Sequence, residues 1–288
     1  NMGDWTRMRM WGMAVGVAAI GFYALGWAGQ IDTTKSLYTG GRIVWLSALV
    51  GGALFGLGME LASGSGSKTL VRVGVVMGLA AFMALRGVFA VLRNATVDQV
   101  SVEIAAGAAV PAWVAAGAGL APGVAGLVCA LVIGGALIAW ALMSRDFRTG
   151  NNLLAGVGIG LVITAMWWIS GHLGFVPEHP ETLEPVYVGS NTGRMESLTF
   201  TAPMAYVLDW LIFFSDTSKV LTFGVVTVVG VVAGSFLCAV TERSFHWEGF
   251  RDTKDTALHL IGAVRMGVGG VTALGCTVGQ VLSGLSTL

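Results

Sequence analysis

The hydrophobic positions of this chain are gathered into long runs separated by short polar connections. Runs flanked by glycine and aromatic residues fall at about Met10–Ala28, Ile43–Leu61, Leu70–Leu92, Val124–Met143, Leu153–Ile169, Val220–Val240 and Leu258–Leu274. Each is near the length that crosses about 30 Å of hydrocarbon, which predicts seven membrane-spanning helices. Two weaker segments, Val97–Ala121 and Pro203–Phe214, are too broken or too short to span and are expected to be interfacial or re-entrant.

The connections carry the orientation. With the N-terminus inside, the inner connections hold nine lysines and arginines, among them Lys68, Arg145, Arg148 and Arg251, against five on the outer side. Basic residues are retained in the cytoplasm, so this orientation is expected. It leaves the acidic Val176–Thr201 stretch outside, and predicts that Glu242–Asp255 is a solvated inner loop.

Two of the polar interruptions match each other. Ala62–Lys68 reads Ala-Ser-Gly-Ser-Gly-Ser-Lys and Leu274–Gln280 reads Leu-Gly-Cys-Thr-Val-Gly-Gln, each after an apolar helix. Placing Ser65 over Cys276 brings Gly51, Gly56, Gly58, Ala62 and Gly64 onto Gly262, Gly267, Gly269, Ala273 and Gly275 without a gap. In the expected topology the two preceding helices run in opposite directions, so the loops would be related by a pseudo-twofold in the membrane plane. Inverted repeats with broken helices are a usual architecture of small-solute transporters, because irregular backbone is tolerated at that depth only where it lines a cavity. A single transmembrane domain over 1–288 is expected, with half-repeats at about 10–143 and 153–288.

Composition narrows the class. With 55% hydrophobic and 11% charged residues and a mean hydropathy of +0.77, the chain could not solvate its own surface. It reads as an all-α integral membrane protein, a polytopic helical bundle. Forty-three glycines suit helices that pack closely in lipid, where no hydrophobic force draws them together. A formal charge of zero and the lack of any basic run give no footprint for nucleic acid. The four histidines show no metal-ligand spacing, the three cysteines form no CxxC pair, and no catalytic constellation is visible. No cofactor is implied.

The chemistry that remains is anion binding. Cys276 lies in a loop, with Gly275 and Gly279 freeing the backbone and Thr277 and Gln280 offering hydrogen-bonding side chains. A half-helix beginning near Gly279 would add its positive N-terminal end. The plainer alternative is a tight packing corner with an incidental thiol. In the first loop, Gly64, Gly66, Ser65, Ser67 and Lys68 have the composition of an anion nest, against the alternative of a flexible turn. Arg72, Arg86 and Arg265 lie on adjoining apolar helices and outnumber the one carboxylate there, Glu60. Intramembrane charges usually face a partner or a watery path, so these arginines either receive an anion or pair structurally with Glu60 and loop carbonyls.

At these loops the chain resembles the YeeE/YedE family of bacterial sulfur-transport membrane proteins. The segments that carry the resemblance are Gly58–Arg72, Trp247–Asp252 and Gly275–Ser286. The family implies an hourglass-shaped helical fold with inverted pseudo-symmetry, two inward-pointing loops and uptake of thiosulfate between thiols through transient S–H···S hydrogen bonds. Cys276 matches the cysteine of the family's second loop. The first-loop pattern of the family is Gly-Cys-Gly-Ser-Lys, and here Ser65 stands at the cysteine position. The family also implies a helix before Asn1 and another after Leu288, so the chain is expected to be trimmed at both ends. On this resemblance the chain would be a multi-pass permease of the bacterial cytoplasmic membrane. It would import thiosulfate between Ser65 and Cys276 and hand it to a soluble sulfur carrier of the TusA type. Two other readings stay open: an accessory subunit that keeps the fold without transporting, and a membrane thiol enzyme.

Overall fold

The computed structural model describes residues 5–64, 66–104, 107–178, 183–216, 220–245, 250 and 252–288. Among them run α1 (Thr6–Trp27), α2 (Trp45–Leu61), α3 (Gly66–Arg86), α4 (Val88–Ala95), α5 (Val110–Ala118), α6 (Pro122–Leu142), α7 (Gly150–Trp168), α8 (Thr201–Ile212), α9 (Phe223–Thr241) and α10 (Thr253–Thr272). Among the described residues, strand is confined to two-residue pairs such as Phe175–Val176 against Val186–Tyr187.

Every predicted run contains a helix, but the runs are not equivalent. α1, α6, α7 and α9 are long and apolar enough to cross a membrane. The Leu70–Leu92 run is divided instead. The chain leaves helical geometry at Val73, and the remainder of α3 meets α4 at an angle of 50°, where Gly87 takes an extended conformation. α2 is shorter, with 17 residues, and α10 carries Lys254, Asp255, His259 and Arg265 within its length. Of the two weaker segments, Val97–Ala121 holds, among the described residues, a 3-10 turn at Val97–Gln99, the two-residue strand Val102–Glu103 and the nine-residue α5. Pro203–Phe214 is mostly α8, a short helix with Pro203, Met204, Ala205 and Asp209 buried. Exposed Val132, Leu154, Leu161, Val229 and Leu237 on α6, α7 and α9 make a surface suited to lipid. The protein is a multi-pass helical membrane protein.

The chain divides into two compact units. The first comprises Asn1–Ile43, Glu103–Leu198 and Gly279–Leu288. Here α1 packs between α6 and α7. Gly16 and Gly134 let α1 and α6 touch at the backbone: a Cβ on Gly16 would lie 2.6 Å from the Gly134 carbonyl oxygen, and one on Gly134 would lie 2.8 Å from that of Gly16. Such close approach replaces the missing hydrophobic drive with short-range packing. The C-terminal segment is drawn into this unit as a π-helical turn, Val278–Gly284, followed by a 3-10 turn, Leu285–Thr287. Fully buried Trp167 donates through Nε1 to Ser286 Oγ at 3.0 Å, and the Tyr23 hydroxyl donates to the Thr287 carbonyl. Thr149 caps α7 by accepting from the Asn152 amide.

The second unit comprises Val44–Val102 and Thr199–Val278. α10 is its centre, packed against α2, α3 and α8, while α9 rests on α8. Asp252 starts α10 by accepting from the Asp255 amide at 2.7 Å, and buried His259 places Nδ1 2.8 Å from the Asp255 carbonyl, in keeping with its place on an apolar face. The α2–α10 contact is reciprocal. A Cβ on Gly51 would meet the Gly269 carbonyl at 2.7 Å and Ala273 at 2.4 Å; one on Gly262 would meet the Gly58 carbonyl and Ala62, both at 2.8 Å. A Cβ on Gly58 would meet the Met266 amide nitrogen at 3.0 Å, and one on Gly269 would meet that of Phe55 at 2.6 Å. In the register that sets Ser65 over Cys276, each of these contacts is the exchange partner of another, as across a twofold interface.

Candidate functional site

The register of the two loops extends to their backbones. α2 ends on Ala62 with φ −83° and ψ 7°, and α10 ends on Ala273 with the same angles. Ser63 and Leu274 follow in the left-handed region, at φ 51° and 62°. The Ser63 amide then donates to the Glu60 carbonyl and that of Gly64 to Met59, as the Leu274 amide donates to Val271 and that of Gly275 to Gly270. Both ends are Schellman motifs, which satisfy carbonyls that a broken helix would otherwise leave bare in lipid. Two residues beyond each glycine the helix resumes, at Gly66 and at Thr277.

Cys276 sits just before that second start and is 2% exposed. Its surroundings are apolar and rich in thioether: Phe55, Met77, Met204 and Met266 share its buried cluster, with Met59 partly buried against it. Thr69, 1% exposed, donates its hydroxyl to Met266 Sδ at 3.4 Å. The thiol itself has a polar neighbour in Thr199, with Oγ1 at 3.9 Å from Sγ. The hydroxyls of Thr201 and Thr277 are buried without a hydrogen-bond partner. Thr201 lies against Gly270, where an added Cβ would meet its Oγ1 at 2.6 Å, and the Gly270 carbonyl closes the turn to Gly275. An unpaired buried hydroxyl costs about 1–3 kcal/mol, so each of these two hydroxyls would gain from an acceptor brought within its reach.

The second unit thus brings Gly275, Cys276 and Thr277 together with Thr199. Gly279 is buried and Gln280 half-buried in the turns that follow, with Gln280 Oε1 folded back to 3.4 Å from a Cβ placed on Gly284. In the first loop, Gly64 lies in the turn after α2 and Gly66 opens α3. Ser65 lies outside the described residues, as do the side chains of Ser67, Lys68 and Arg72. Arg86 and Arg265 are not in the cluster. Arg86 is the exposed last residue of α3, and Arg265 is exposed with Leu260, Ile261 and Val264, while its neighbour Met266 turns inward to Cys276. The small residues that seat α10 on α2 and α3 fix which face is inside, and Arg265 is off that face. Glu60 is exposed too, and among the described residues of this unit Asp209 on α8 is a buried carboxylate, 7% exposed. No group of three metal-ligating side chains is gathered among the described residues.

The residues leading to α8 were expected to be an outer loop, yet 195–197 and 199–201 are buried. In the first unit, the Ser197 hydroxyl donates to the Ile163 carbonyl at 3.1 Å, that of Ser283 to Leu198 at 2.7 Å, and that of Ser170 to Glu196 at 2.5 Å. The signal was available: Ser197, Thr199 and Thr201 alternate, the period of an extended segment with one polar side. Glu196, 8% exposed, accepts from the Thr192 hydroxyl, and burial pushes its carboxyl above the ordinary range.

A family model described as sulphur transport matches residues 1–288. The thiosulfate transporter TsuA of Escherichia coli strain K12 is 27% identical over 302 residues, covering 93% of this chain and 74% of that protein. The thiosulfate transporter TsuA of Spirochaeta thermophila is 30% identical over 266 residues, covering 83% of this chain and 70% of that protein.

Proposed function

The chain belongs to the sulphur transport family, and from that premise we propose that it is a permease importing a small sulfur-containing anion, thiosulfate first, through the Ser65 and Cys276 loops. The observation that carries the reading is a buried thiol, Cys276, at the start of a helical segment, with a hydroxyl beside it and unpaired hydroxyls in the same unit. A thiol is a weak donor that suits a soft, diffuse sulfur, and hydroxyls suit the harder oxygens of the same anion. A site of this kind holds an anion by neutral donors, so it can release what it binds. Lys68 and Arg72, in the segment that carries the first loop, supply the charge that draws the anion in. The names of the relatives support thiosulfate as the cargo.

In this proposal no covalent capture occurs and no cofactor takes part. The anion passes from the Ser65 loop to Cys276, with the serine hydroxyl standing where the family has a second thiol. The protein resides in the bacterial cytoplasmic membrane, and a TusA-like carrier receives the sulfur on the inner side. The test is uptake of radiolabelled thiosulfate by cells in which the full-length protein is the sole importer. Cys276→Ala should reduce uptake at least tenfold, and Ser65→Cys should raise it. Absence of uptake in both the parent and Ser65→Cys, at normal membrane levels, would refute the proposal and favour the accessory-subunit role.

A further inference from the structure

We propose that Thr199 is the positioning residue of the Cys276 thiol, and that it sets the preference of the site for an anion with a terminal sulfur over one with oxygens alone. The inference rests on the permease reading and adds to it a residue outside both loops.

Thr199 Oγ1 lies 3.9 Å from Cys276 Sγ, with both side chains buried. The rest of the thiol's cluster is hydrocarbon or thioether, which accepts hydrogen bonds but donates none. The hydroxyl of Thr69 is already turned to Met266 Sδ. Thr199 is the hydroxyl placed against the thiol, and in this proposal it sets where the thiol proton points. In the proposed arrangement the O–H of Thr199 donates to Sγ, and the S–H is left to donate outward. Hydrogen bonds in such a chain polarise one another, which strengthens the outward S–H as a donor. Without Thr199 the thiol rotates freely, and its weak donor is no longer aimed.

The backbone holds Thr199 firmly. It directly precedes Phe200 and Thr201 at the start of α8, and α8 packs on α3 and α10. Thr201, fully buried against the end of α10 with an unpartnered hydroxyl, and Thr277, next to the thiol in the chain, supply donors of the kind anion oxygens accept. The arrangement separates two tasks: hydroxyls for oxygen and an aimed thiol for sulfur. Sulfate satisfies the first and has nothing for the second.

The test uses full-length protein with Thr199→Val, which keeps the shape and removes the hydroxyl, and Thr199→Ser, which restores it. Thr199→Val should raise the thiosulfate KM about five- to tenfold, leave the maximal rate per molecule within twofold, and make sulfate a relatively stronger competitor. Thr199→Ser should return all three toward the parent. A second readout does not depend on transport. In a chain with Cys129→Ala and Cys238→Ala, the rate of Cys276 alkylation by N-ethylmaleimide is followed against pH. The midpoint should move in Thr199→Val, which removes the hydroxyl beside the sulfur, and return in Thr199→Ser. An unchanged midpoint, or a thiosulfate KM that Thr199→Val does not move, overturns the positioning role. A shifted midpoint in a protein that transports no thiosulfate overturns the cargo assignment and supports the thiol contact.

Discussion

Replacing Gly269 by alanine should loosen the second unit, and the structure sets the size of the effect. The new Cβ would lie 2.6 Å from the Phe55 amide nitrogen, 2.7 Å from the Gly51 carbonyl oxygen and 3.0 Å from Leu54 Cβ. Ordinary contact begins at 3.4 Å, so the backbones of α2 and α10 must separate by about 0.8 Å. Backbone cannot step aside as a side-chain end can, and overpacking of this kind costs about 1–3 kcal/mol. The separation also strips neighbouring pairs of dispersion contact, which falls steeply over such gaps. With roughly 2–4 °C per kcal/mol for units of this size, melting of the detergent-solubilised protein, followed by tryptophan fluorescence, should fall by about 2–12 °C. Gly56→Ala is the control. It lies on the same α2 helix with nothing within 4 Å of its would-be Cβ, and alanine there should stabilise by about 0.5–1 kcal/mol. Gly51→Ala should resemble Gly269→Ala, and the double variant should cost less than the sum, because one separation relieves both clashes. A Gly269→Ala protein that melts with the parent, or a double variant with fully additive losses, would sink the account of the α2–α10 contact.

Two further substitutions probe the loop ends and the connection before α8. Leu274 takes φ 62° with its side chain 47% exposed, so Leu274→Gly should remove a strain of about 1–2 kcal/mol at little packing loss and raise the melting temperature; a fall would contradict the strain. Glu196 lies outside the spans with its carboxyl raised from 4.5 by burial. A raised acid favours the folded state below its unfolded value and loses that contribution as pH climbs through the folded one. The parent should therefore lose stability as pH rises from about 4.5, and Glu196→Gln should flatten that slope in melting curves taken across pH; an unchanged slope would show that Glu196 is not its source.

How far the sequence could be read follows from what each residue type signals. Long apolar runs announce helices whatever they pack against, so every run contains helix, although Leu70–Leu92 is shared between α3 and α4. The Gly51, Gly58 and Ala62 match to Gly262, Gly269 and Ala273 was visible because close helix contact demands small residues, and those residues form the α2–α10 contact. The conformation of Leu274 was not legible, because a leucine carries no sign of a left-handed backbone and Gly275 beside it looks the better candidate. The break at Val73 was hidden for the same reason, since nothing in Val71-Arg72-Val73 breaks a helix. The stretch before α8 is a loop, as expected, but its burial was missed. Its serines and threonines read as polar, whereas Ser197 spends its hydroxyl on the Ile163 carbonyl and Thr199 faces a thiol. Arg265 misled in the opposite sense. An intramembrane arginine suggests an inward ion path, but Gly262, Met266 and Gly269 had already taken the inner face.

The reciprocal seating of α2 on α10 also governs how the loops can move. Sliding one helix along the other would carry Gly51 off Gly269 and Gly58 off Gly262 in the same stroke, so the side chains beside the glycines would ride up on backbone at both ends at once. Axial travel is thereby blocked, and what remains is a swivel about the point midway between the two glycine pairs. A swivel turns the ends of both helices together and in opposite senses. The turn at Ser63 and the turn at Leu274 therefore behave as the two arms of one lever, and neither can be displaced while the other stays still.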